Sequence, residues 1–166
     1  EDLERLIVRA IGLDETSNYD ALDCIELHNA LAGAAATITT ARGAPFIYDL
    51  LGFDACLMSG VEVGFHLRKL AKVMVGSEDI EPPKGWSYDG VLSALATDPR
   101  GIATEAVGTA LVDAYVDGMA NYQIRLVTQS ALRMDALEEL VVAIDQAGQR
   151  IGAMVQDQYG QIAQAE

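Results

Sequence analysis

The sequence predicts an α/β fold, a mainly parallel β-sheet flanked by helices, and three observations carry that reading. Two short apolar runs, Phe46–Phe53 and Val73–Val75, lack clean alternation and end in small or polar residues, as strands buried on both faces do. The segments between and after them switch to helical spacing, which produces strand–helix alternation. The 166 residues, 51% of them hydrophobic, suffice for one compact domain with a core. No internal repeat, low-complexity tract or domain-splitting linker interrupts them, so residues 1–166 read as a single domain.

In chain order, the first local signal is the polar loop Asp14–Asp20, which carries three acids. Asp23 stands three residues before Glu26, the spacing of a capping box. Leu27, Ala30, Leu31 and Ala34 recur behind it and predict a helix over about 24–35. A Thr-rich loop (Thr37, Thr39, Thr40) follows, closed by Gly43 and Pro45. After the first strand, Val63, Leu67, Leu70 and Ala71 predict a helix that Cys56 directly precedes. The second strand ends in Gly76-Ser77-Glu78-Asp79. Beyond Pro82-Pro83 come helices over about 88–95 and 104–119, a strand over 123–132, and a long helix from Ala136 to about Gln158.

Charge and motifs exclude several functions. With 25 acids against 11 bases the chain carries a formal charge of −14, which excludes a nucleic-acid partner because phosphate binding needs a basic surface. The same charge suits basic peptides, and equally a merely soluble protein. No stretch approaches the roughly eighteen apolar residues of a membrane span. Cys24 and Cys56 form neither a CxxC nor a disulfide framework. His28 follows Cys24 at a spacing that could place two metal ligands on one helix face, but no third Cys or His lies nearby, so no metal is assigned. Nucleotide, hydrolase and zincin motifs are absent, and the sequence requires no cofactor.

In parallel sheets, functional residues lie just beyond the carboxyl ends of strands. That rule selects Asp54-Ala55-Cys56 and Gly76-Ser77-Glu78-Asp79. Cys56, at a strand-to-helix turn, is placed to be a nucleophile whose thiolate helix-end N–H groups would favour. A buried structural cysteine would satisfy the same position. Asp54 falls on the same side of an extended chain as Cys56. A carboxylate beside a thiol opposes its ionisation, so activation is a poor role for Asp54. Pairing, as a partly buried carboxylate, with a substrate cation is a better one, and a capping aspartate is the plain alternative. A cysteine nucleophile also needs a base, and neither His28 nor His66 is an obvious partner. Trp86 reads as a packing anchor.

Longer strings add a family resemblance. Gly52-Phe53-Asp54-Ala55-Cys56-Leu57-Met58 with Gly60-Val61-Glu62-Val63 resembles the nucleophile segment of the clostripain-like cysteine peptidases. Val75-Gly76-Ser77-Glu78-Asp79, Glu81-Pro82 and Gly85-Trp86-Ser87-Tyr88-Asp89 are similar to the family's next block, in order. Asp14-Glu15-Thr16-Ser17 and Ile25-Glu26-Leu27 resemble the segment before the nucleophile strand. The resemblance implies a caspase-like fold, here part of the full domain, and a thiol protease of bacterial type with Cys56 as catalytic nucleophile. It implies substrate binding by Asp54, which matches the acid of a pocket for basic side chains, with Ser77 close to that pocket. A peptide or protein is then the partner, calcium a cofactor by analogy, and the location secreted or at the cell surface. The family's catalytic histidine belongs to a His-Gly motif upstream of the DETS-like segment, and Glu1–Ile11 holds no histidine. A separate light chain or upstream segment is therefore expected to carry it. Lys84 stands where many relatives have an acid. A catalytically inactive relative that binds peptides through the same cleft is the competing reading.

Overall fold

The computed structural model describes residues 12–17 and 20–162, which divide at Asp135/Ala136 into two compact units. The Glu1–Ile11 segment lies outside the described residues. The polar loop forms a small hairpin. In it β1 (Leu13–Asp14) pairs antiparallel with β2 (Asp20–Ala21), and Glu15–Ser17 makes a 3-10 turn.

Helix α1 (Cys24–Arg42) starts at the expected capping box. Asp23 Oδ1 accepts from the Ile25 and Glu26 amides, both at 2.8 Å, and Glu26 Oε2 accepts from Asp23 N–H at 3.1 Å. The helix does not end near Ala35 but runs on through the threonines. Thr37 and Thr40 donate their hydroxyls to the Gly33 and Ala36 carbonyls, each at 3.0 Å, which ties up the groups that would otherwise favour a turn. Gly43, at φ 66°, closes the helix by donating its N–H to Thr39 O at 2.9 Å.

The sheet is built around one central strand. β3 (Tyr48–Gly52) lies parallel to β4 (Ala71–Gly76), with α2 (Val61–Leu67) between them in sequence. β5 (Ser130–Arg133) pairs antiparallel with the other edge of β4, giving the order β3-β4-β5. Val73, Met74 and Val75 are all buried although successive side chains point to opposite faces, so both faces of β4 are covered. The strand expected over 123–132 forms only at its end, as Ser130–Arg133. Ile124 N–H returns to Met119 O, and Thr128 bonds the loop after β4, so those residues are committed elsewhere.

Helices α3 (Tyr88–Thr97) and α4 (Thr104–Asn121) cover one face of the sheet. Leu111, Tyr115 and Met119 of α4 form one buried cluster with Val73, Val75, Trp86 and Val91. Helices α1 and α2 pack together, and Tyr48 Oη donates to Leu31 O at 3.1 Å to join β3 to α1. The sheet flanked by helices is the α/β fold expected. Within the second unit, α5 (Leu137–Ile162) is a single helix. No described helix is long and apolar enough to cross a membrane.

The cap of α1 can be tested separately from the core. Asp23→Ala should lower stability by about 1 kcal/mol in urea denaturation, whereas Thr37→Ala should stay within roughly 0.5 kcal/mol.

Candidate active site

Because β3 and β4 are parallel, the loops leaving their carboxyl ends emerge side by side. Phe53 N–H extends the pairing to Val75 O at 2.9 Å, and the chain then bends away at Asp54. The Cys56 thiol is exposed. Leu57, next in sequence, has φ 63°, a left-handed conformation that costs a non-glycine residue roughly 1–2 kcal/mol. Such strain persists only where the surroundings over-determine it. Here Leu57 N–H donates to Asp79 O at 3.2 Å, Ser59 N–H donates to Ser77 O at 2.9 Å, and the Ser59 and Ser130 hydroxyls meet at 2.6 Å. Met58 is buried where Gly76 has no side chain: a Cβ on Gly76 would lie 3.2 Å from both the carbonyl carbon and the Cβ of Met58.

Cys56 therefore does not directly precede a helix. A turn intervenes and α2 begins only at Val61. The hydrogen bond to sulfur comes instead from the opposite loop, where Glu81 N–H donates to Cys56 Sγ at 3.2 Å.

Ser77 shapes that opposite loop. Its fully buried hydroxyl donates to Asp79 O at 2.9 Å and accepts from Asp79 N–H at 3.1 Å. Thr128 Oγ1 lies 2.9 Å from it and accepts from Glu78 N–H at 3.2 Å. The Ser77 side chain is thus bonded inward, and it fixes the backbone that presents Asp79 O and the Glu81 amide to the cysteine turn.

Asp54 is held by a third segment. Both the Trp86 amide (3.1 Å) and the Tyr88 hydroxyl (2.8 Å) donate to its Oδ2. Gly85 makes this approach possible. Its φ is 62°, and a Cβ there would sit 2.8 Å from Asp54 Oδ2. Asp54 is exposed rather than partly buried, since β3 has ended at Gly52 and the carboxylate stands on the loop.

Behind these groups lies a second carboxyl. Glu81 is 9% exposed, and neither of its oxygens closes a hydrogen bond. Burial pushes its pKa up from 4.5 to about 7, with Asp54 adding to the push and the Trp86 side chain opposing it. Tyr115 is pushed up to about 12, first by burial and then by the charges of Glu81, Asp54 and Cys56. Tyr88 is raised by burial and then by Asp54. These shared influences place Cys56, Asp54, Glu81, Tyr88 and Tyr115 in one cluster.

The sequence profile of the clostripain family matches residues 1–164. The chain belongs to the clostripain family. Solved structures of similar fold include a B. fragilis cysteine protease, 25% identical with a TM-score of 0.57, for which the match covers 80% of this chain and 50% of that one. A clostripain from Bacteroides thetaiotaomicron ATCC 29148, in complex with the peptide inhibitor BTN-VLTK-AOMK, is 19% identical with a TM-score of 0.58, over 79% of this chain and 50% of that one. A secreted C11 cysteine protease from Bacteroides thetaiotaomicron, iotapain, is 18% identical with a TM-score of 0.61, over 80% and 33%. The chain spans half or less of the length of each of these three. No curated protein matches it.

In this clostripain-family chain the structure brings Cys56 and Asp54 together on one loop and sets Ser77 behind the facing one. His28 Nδ1 lies 2.8 Å from His66 O, so one histidine side chain is engaged by the other's backbone, joining α1 to α2. Cys24, on α1, has its thiol pKa raised by burial and then by Asp23 and Glu62. Among the described residues no group of three or more His, Cys, Asp or Glu could hold a metal ion. Lys84 Nζ lies 4.6 Å from the centre of the Tyr122 ring. Sequence reasoning missed Glu81, Tyr88 and Tyr115. The first two stood inside strings quoted for the family resemblance, and their signal was there; Tyr115 looked like any aromatic on a helix face.

Glu81 gives stability a pH dependence of definite sign. An acid whose pKa is raised on folding binds its proton more tightly when folded, so the stabilisation is complete below about 4.5 and is lost as pH rises through about 7. Glu81→Gln should therefore be close to wild type in melting temperature at pH 4.5 and gain on it steadily up to pH 8. Parallel curves would show that the carboxyl is not desolvated. Independently, Gly76→Ala should push the Met58 backbone and slow Cys56 alkylation several-fold.

Proposed function

We propose that this chain is the nucleophile-bearing part of a cysteine endopeptidase that cleaves after Arg or Lys. The observation that carries the reading is the pairing on one loop of an exposed thiol with an oriented carboxylate. Asp54 Oδ2 is fixed by the Trp86 amide and the Tyr88 hydroxyl. A cationic side chain held there would bring the following peptide carbonyl to Cys56. The thiolate attacks the carbonyl carbon, and the displaced electron pair goes to oxygen. Cys56 N–H has no other partner among the described residues and is available to donate to that oxyanion. Collapse expels the amine with a proton from the general acid and leaves a thioester on Sγ. Water then hydrolyses the thioester and restores the thiol.

The base in this reading is the histidine of a separate segment, as the family resemblance implies. His28, bonded to the His66 carbonyl, serves the packing of α1 on α2. Ser77 contributes by fixing the loop that carries the Glu81 amide.

The test uses the complete protein with fluorogenic peptides ending in Arg. Cys56→Ala should abolish cleavage. Asp54→Asn should reduce kcat/KM by roughly 10–100-fold, the range for losing a charge-assisted hydrogen bond, while alkylation of Cys56 by iodoacetamide changes less than about threefold. Equal losses in cleavage and alkylation would assign Asp54 to support of the loop and would remove the basis for a basic-residue pocket.

A further inference from the structure

Buried polar atoms in native proteins are almost always hydrogen-bonded, so a group of unsatisfied ones in one place needs an explanation. Here Glu81 Oε1 and Oε2, Trp86 Nε1 and Tyr115 Oη are all buried without a partner. They also belong together: Trp86 and Tyr115 share one buried cluster, the Trp86 side chain acts on the Glu81 carboxyl, and Glu81 in turn acts on Tyr115. Once Glu81 is ionised the set cannot satisfy itself. The indole has one donor and the phenol one, whereas the Glu81 carboxylate alone has about four lone-pair sites, and Asp54 Oδ1 adds more. What is missing is a partner that brings several donors and positive charge.

The location says where such a partner comes from. The Glu81 backbone amide touches Cys56 Sγ, so this carboxyl enters the site from the loop that faces the nucleophile. Glu81 is 9% exposed, whereas Asp54 is exposed. The two acids thus stand at different depths, Asp54 outside and Glu81 within. Lys84, the nearest cation in sequence, has its ammonium over the Tyr122 ring and makes no ion pair with either acid among the described residues.

We propose that Glu81 is a second, inner carboxyl of the pocket for the basic side chain, and that the substrate cation takes the place of its proton. The inference rests on the basic-residue pocket proposed above and adds a residue and a proton to it. In the empty site the groups facing Glu81 are Asp54 from the loop after β3, the Cys56 thiol on the same loop, the Trp86 indole and Tyr88 at the start of α3, and Tyr115 from α4. Burial first, and then Asp54, favour a protonated Glu81. A guanidinium or ammonium group reverses that balance, because an opposite charge within a few ångströms favours the carboxylate. Binding then releases the Glu81 proton to solvent. No covalent step is involved. The Trp86 side chain, which already favours the ionised form, and Tyr115 Oη become donors to the newly ionised carboxylate.

The experiment compares matched peptides ending in Arg or in citrulline, which has nearly the same shape and no charge, on the complete protein from pH 5.5 to 8. For the wild type, KM for the Arg peptide should rise about tenfold towards pH 5.5, since protonated Glu81 must give up its proton to bind the cation. In Glu81→Gln the Arg-to-citrulline ratio of kcat/KM should fall by about 30-fold or more, and KM for the Arg peptide should lose its pH dependence. Iodoacetamide alkylation of Cys56 should stay within about twofold, which shows that the loop is intact. Glu81→Asp, which keeps the charge one methylene back, should retain part of the ratio and a pH-dependent KM. An unchanged ratio and KM profile in Glu81→Gln, with Asp54→Asn still lowering the ratio, would overturn the role of Glu81 alone. If neither variant lowers the ratio, the basic-residue pocket itself falls. If Glu81→Gln slows alkylation as much as cleavage and Glu81→Asp does the same, Glu81 supports the loop and the proposal fails.

Discussion

The candidate site depends on the backbone lacing between two loops that leave neighbouring parallel strands. Leu57 N–H to Asp79 O and Ser59 N–H to Ser77 O tie the cysteine turn to the segment after β4, and Phe53 N–H to Val75 O sets their register. A parallel pair puts both loops at the same end of the sheet, which an antiparallel hairpin could not do with these connections. The lacing also explains how a left-handed leucine survives next to Cys56. Its cost, roughly 1–2 kcal/mol, is offset by hydrogen bonds that any relaxed conformation would break.

Around this frame the side chains divide into those that build and those that wait. Ser77, Thr128 and Ser59 spend their polar groups on one another and on the backbone, and all three fix loop geometry. Asp54 is half committed, with one oxygen bonded by Trp86 and Tyr88. Glu81, Trp86 Nε1 and Tyr115 Oη are uncommitted although buried. Such an arrangement is expensive for a structural core and reasonable for a site whose last partner arrives with a ligand.

The sheet, the helices and the two strand-end loops were legible from local patterns, because apolar runs and capping spacing are local signals. The capping box at Asp23 is seen as expected, and β3, β4 and α4 lie where their apolar residues fall. Misreadings arose where a local preference met a partner distant in sequence. Thr37 and Thr40 looked like a loop until their hydroxyls were bonded back along the helix. Residues 124–129 looked like a strand until Thr128 was seen to serve the loop after β4. Cys56 and Asp54 could be picked out as strand-end residues. Glu81 stood inside a string quoted for the resemblance, but no spacing rule reports which carboxylate the fold will bury, so its burial was not legible.

One consequence concerns light. Trp86 is the single tryptophan of the chain, and its indole N–H is buried beside Glu81. Every photon of indole emission from these 166 residues therefore originates next to the acidic cluster. Indole excited states respond to nearby charge, so the ionisation of that cluster is written into the colour and brightness of the chain's own fluorescence. The site carries its own optical gauge, with no label attached.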